Sequence, residues 1–81
     1  MELKDTISMM DNLDYKERFK AEYYQLKIRL KKLTTILQQL DAGELKFKPD
    51  SPVILLTTQK SYMEAYLNCL ELRASAEGIP L

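Results

Sequence analysis

The sequence predicts an all-α chain built as a long antiparallel two-helix hairpin, coiled-coil-like, with a short N-terminal helix or tail and copies of itself as partners. Three observations predict it. Phe19, Tyr23, Leu26, Leu30, Leu33, Leu37 and Leu40 follow one another at spacings of four and three, a heptad seam without a gap. A second apolar stripe opens just after Pro52 and stops at Gly78. Only 2 Gly and 3 Pro occur in 81 residues, so little interrupts a helix.

Residues 1–14 form an acidic lead-in, with Lys4 against Glu2, Asp5, Asp11 and Asp14. Leu3, Ile7 and Met10 have helical spacing, but helices this short are marginal unless they dock. A frayed tail and a docked helix both fit. The hairpin domain is residues 15–81. Its first helix, about residues 15–42, starts after Asn12 or Asp14 as cap and ends at Asp41-Ala42-Gly43, where glycine takes the left-handed position. ELKFKPD is a connecting loop whose Phe47 is expected to fold back and plug the end of the hairpin. The second helix, about residues 52–77, has Asp50 or Ser51 as cap and Pro52 in its first position, where a missing N–H costs nothing. Leu56, Met63, Leu67, Leu70 and Ala74 make its stripe, flanked by Leu55, Tyr62, Tyr66 and Cys69. Antiparallel packing then brings Tyr23 and Glu22 close to Arg73.

A lone hairpin is a poor bargain between burial and chain entropy, because two rods touch along one line. Tyr24, Ile28 and Ile36 on the first helix, with Leu55, Tyr62 and Tyr66 on the second, lie off the seam and are the expected self-association surface.

Composition removes several functions. There is no His, which excludes histidine triads, imidazole metal sites and histidine pH switches. One Cys closes no internal disulfide, and Cys69 has no base to activate it. The carboxylates show no metal-binding spacing, and no Gly-rich phosphate loop exists. Neither a secretory leader nor a membrane-spanning stretch is expected, since the longest uncharged run, from Ser51 to Gln59, is itself broken by Thr57, Thr58 and Gln59. The chain is therefore expected to be cytoplasmic, no enzyme, without cofactor or metal, and without sequence-specific DNA binding.

Net charge is zero, with 12 basic and 12 acidic residues, yet residues 15–32 carry seven cations against two carboxylates. Lys20, Lys27 and Lys31 run along one flank with Tyr23 and Tyr24 interleaved. Cations for phosphates and rings for bases suit a nucleotide ligand, whereas a plain solvated face is the bland alternative. The candidate ligand residues are Lys20, Tyr23, Tyr24, Lys27, Arg29 and Lys31 of the first helix with Tyr62, Tyr66 and Arg73 of the second.

From Lys16 onward the chain resembles a family of small helical-hairpin proteins of bacteriophages and prophages, related to those of crAss-like phages. KERFKAEYYQLKIRLKKL, the DAGELKF turn and LLTTQKSYMEAYLNCLELRASAEGIPL carry the resemblance, and residues 1–14 fall outside it. The resemblance implies an accessory phage gene acting in the cytoplasm of a host bacterium. Some accessory phage proteins are oligomeric helical hairpins that sequester cyclic nucleotide immune signals, an analogy of architecture alone. The leading expectation is a counter-defence protein that binds such a signal stoichiometrically between protomers. The alternatives are an inhibitor or adaptor docking on a host protein, and a structural oligomerisation module without a small ligand.

Overall fold

The computed structural model describes residues 1–81 and is all-helical. A 3-10 turn, Leu3–Thr6, runs into α1 (Ile7–Met10); α2 (Tyr15–Asp41) and α3 (Val53–Glu77) form the hairpin. The molecule is 43 Å in its longest dimension.

Of the two fates open to residues 1–14, the structure selects docking. The segment lies along the outer side of α2, opposite the face that meets α3. Thr6 is fully buried there: its hydroxyl donates to the Leu3 carbonyl at 2.7 Å and accepts from Gln25 Nε2 at 2.9 Å. A buried hydroxyl is tolerated because both partners are present. Ala21 supplies the small side chain that lets the segment approach α2, and is itself buried. The connection to α2 is tied down by Arg18, which donates to the Asn12 and Leu13 carbonyls, each at 2.8 Å.

Asp14 caps α2, its carboxylate accepting the Lys16 N–H at 3.0 Å. At the other end the Glu44 N–H reaches the Gln39 carbonyl and the Gly43 N–H the Leu40 carbonyl, with Gly43 at φ 71°. This is a Schellman stop, and it needs a residue free to be left-handed. α3 ends in the same way at Gly78 (φ 68°), where the Ile79 N–H bonds the Ala74 carbonyl at 2.8 Å and Ile79 turns into the core.

Two expectations fail. Pro52 is the cap residue of α3 and not its first helical residue, because its ψ of 147° is extended; its carbonyl accepts from Leu55 and Leu56, so neither Asp50 nor Ser51 caps. Phe47 does not plug the hairpin: it is exposed, and Leu37, Leu40, Val53 and Thr57 line an open recess there. No backbone hydrogen bond fixes residues 45–51, so nothing turns the ring inward.

The core is Phe19, Tyr23 and Leu26 of α2 against Leu70, Ala74 and Ile79, with Met63 and Leu67 packed on it. The α2 seam continues through Leu30, Leu33, Leu37 and Leu40, but those are only half-buried. On α3 the seam includes a residue the spacing argument passed over, half-buried Lys60 between Leu56 and Met63.

Candidate functional site

At 100° per residue, positions seven and four apart on α2 share a flank, so Lys20, Lys27 and Lys31 do line up. They are not equivalent. Lys20 is bound to Glu17 at 3.1 Å and partly buried. Lys27 pairs with no carboxylate; its ammonium stands 5.7 Å from the centre of the Tyr23 ring. Lys31 and its neighbour Lys32 also lack ion-pair partners. Tyr23 itself is a core residue with its ring buried, so it holds Lys27 and Tyr24 from below and offers no face to a ligand. Its ring meets that of Tyr24 edge-on, centroids 5.2 Å apart at 76°, which fixes Tyr24 at the surface.

Tyr24, Lys27, Ile28 and Lys31 line a recess of about 230 Å³, closed at one edge by Met1. It continues into a second of about 480 Å³ lined by Ile28, Lys31, Lys32, Thr35 and Ile36, again with Met1. The docked N-terminal segment thus builds part of the wall. The result is a groove with an apolar floor, three unpaired ammonium groups and one oriented phenol ring. Such a groove suits a molecule that joins an anion to a flat apolar part.

Arg29 is absent from this groove. Two residues beyond Lys27 it lies 200° round the helix, and it opens on the other side of α2. There Arg18, Glu22, Gln25 and Arg29 with Met10 and Tyr66 line a recess of about 370 Å³. The structure therefore divides the predicted residues in two: Tyr24, Lys27 and Lys31 on one flank, Arg29 and Tyr66 on the other.

Arg73 stands differently from the expected arrangement. Its guanidinium stacks on Phe19, 4.9 Å from the ring centre, one turn before Tyr23, and its Nε donates to Glu77 at 2.8 Å. Glu77, four residues on along the same helix, is the easier partner than Glu22 across the hairpin. That hydrogen bond, opposed by desolvation and aided by the charges of Glu77 and Glu22, holds the guanidinium above its ordinary pKa. Tyr62 stands alone and exposed.

Lys32 is the cation of the groove that sequence reasoning left out of the site, with Ile28, Thr35 and Ile36 beside it; its place four residues after Ile28 was the available signal. Met1 and the docked segment gave no such signal. No group of three His, Cys, Asp or Glu side chains is placed to hold a metal ion, and no helix is long and apolar enough to cross a membrane.

Residues 13–76 match the family model described as Sequestin. The match spans the α2–α3 hairpin and leaves the docked N-terminal segment outside. No curated protein sequence and no solved structure matches the chain.

Proposed function

This chain belongs to the Sequestin family, and from that premise we propose that it acts by stoichiometric sequestration of a small nucleotide signal. The reading is of a phage-encoded protein that removes an immune messenger in the cytoplasm of the host, as an oligomer and without chemistry of its own. The observation that carries it is the groove of Lys27, Lys31 and Lys32 beside Tyr24, over Ile28 and Ile36. Ammonium groups free of carboxylate partners take phosphate without first giving up an ion pair. The phenol ring and the isoleucines take the base. The family's name, which speaks of sequestering, supports the same reading. The groove is open along one side, and a second copy closing over it would withdraw the ligand from water.

Cyclic di- and trinucleotides, added singly to the purified chain, test this by thermal shift. A ligand at a hundred times its Kd adds about 2.7 kcal/mol to the folded form and raises Tm by several degrees. Lys27→Glu with Lys31→Glu should abolish that shift while helicity is kept. Absence of any shift across the panel overturns the nucleotide reading. A second reading, an inhibitor docked on a host defence or replication protein, draws on the N-terminal segment, where Ile7 and Leu13 are exposed beside Asp11 and Asp14. Loss of host-protein capture on Leu13→Glu, with no nucleotide bound, would favour it.

A further inference from the structure

The charges of α3 sit only beside α2. Lys60, Glu64 and Glu71 follow one edge of the hairpin contact, and Arg73 and Glu77 the other. The side of α3 turned from α2 carries none. Along it runs a second heptad seam, Leu55, Thr58, Tyr62, Ala65, Cys69 and Leu72, at spacings of three and four with every member exposed. A helix apolar on two opposed faces is built for two neighbours, and within this chain α3 has one, α2.

We propose that this seam is the contact between two copies of the chain, which meet α3 to α3 in antiparallel sense about a twofold axis passing between residues 63 and 64. The register argues for a second copy as the occupant. Reversing the seam about that point maps it onto itself: Leu55 meets Leu72 of the other copy, Thr58 meets Cys69, and Tyr62 meets Ala65. The bulkiest side chain falls on the smallest, twice, as an isologous contact requires. A parallel pair would set Tyr62 on Tyr62 and align the helix dipoles unfavourably. The one charged side chain bordering the seam, Arg73, is already bonded to Glu77 of its own helix.

The area suffices. Ile54 (70% exposed), Leu55 (58%), Tyr62 (73%), Tyr66 (44%) and Leu72 (65%) together offer on the order of 600 Å² per copy. Two copies supply more than the roughly 1,000 Å² that marks a specific contact. Tyr66 borders the seam, so the Arg29–Tyr66 recesses of both copies open beside it on one side. The inference fixes one contact of the proposed oligomer, on the side of the hairpin away from the Lys27–Lys31–Lys32 groove, so a copy closing that groove would be a further one; its test needs no ligand.

Oxidative crosslinking reads the geometry. In the antiparallel pair the two Cys69 residues lie about 16 Å apart along the axis, too far for a disulfide, so the unaltered chain should stay uncrosslinked. Thr58→Cys should give a dimer band on a non-reducing gel, and adding Cys69→Ala should remove it. Ala65→Glu should halve the mass by light scattering with helicity unchanged, because residue 65 touches nothing essential within one chain. A monomer at about 100 µM before any substitution overturns the inference. So do crosslinking of the unaltered chain through Cys69, and a Thr58→Cys dimer that survives Cys69→Ala. If the seam fails while nucleotide binding persists, the functional reading stands; if Thr58→Cys crosslinks as expected and no nucleotide binds, only the ligand falls.

Discussion

The two ends of the hairpin share one heptad spacing and differ in burial. Every buried residue lies at the end holding the chain termini: Thr6, Phe19, Ala21, Tyr23, Leu26, Leu70, Ala74 and Ile79. From Lys27 round the turn to Cys69 none is buried, although Leu30, Leu33, Leu37 and Leu40 continue the seam. The terminal end has a third and a fourth piece, the docked N-terminal segment on α2 and the Gly78–Ile79 turn folded back on the core. The turn end has two bare rods. A heptad seam between two helices half-buries its members, and full burial takes further layers.

The largest expected effect follows directly. Leu70→Ala should cost about 3–4 kcal/mol, and Leu33→Ala, at an equivalent seam position in the open half, about 1–2 kcal/mol. Urea midpoints at constant m check this, and equal losses would break the contrast. Next comes the docked layer. Thr6→Val removes the acceptor of Gln25 and the bond to the Leu3 carbonyl, and should cost about 1–2 kcal/mol. Its signature is faster hydrogen exchange in residues 3–10 with little change beyond residue 30, and uniform acceleration along the chain would refute the layered account.

Much of this was legible in the residue order. Spacing located both long helices, and Gly43 and Gly78 marked both stops. Spacing could not tell the buried half of the seam from the open half, because Leu33 and Leu26 read alike until the third layer is in place. The N-terminal contact turns on Thr6, a polar residue whose burial depends on Gln25 nineteen positions away. Arg29 could have been separated from Lys27 and Lys31 by helical rotation alone. The choice of Phe19 over Tyr23 under Arg73 could not, since a one-turn slip between α2 and α3 leaves the apolar pattern intact. Ile79 was hidden because it lies past a stop signal, where a chain is usually expected to leave the core.

The two left-handed glycines allow a cleaner comparison. Both have φ near +70°, and a Cβ at either would meet nothing within 4 Å. Gly43→Ala should therefore cost about 1 kcal/mol, from backbone strain alone. Gly78→Ala carries the same strain, and any excess measures what the Ile79 turn contributes to the packed end. Thermal denaturation of the pair reads that excess as a difference in Tm. No excess would mean that Ile79 is covered without stabilising anything.

The smallest effect runs the other way. Lys60 occupies a seam position of α3 in the open half, its side chain about a third exposed and its ammonium 4.0 Å from Glu64. An exposed pair with the lysine first is worth little, so removing it costs almost nothing. The stem covers apolar surface while the charge is held at the edge, which keeps the helices from closing on that layer. Lys60→Leu should stabilise the chain by about 0.5–1 kcal/mol, seen as a higher urea midpoint. Lys60→Ala separates the causes: if it matches Lys60→Leu the gain comes from losing the charge, and if it falls below the unaltered chain the gain comes from filling the seam. The second outcome is expected, because the open half is short of packed side chains and the Lys60 charge already has Glu64 beside it.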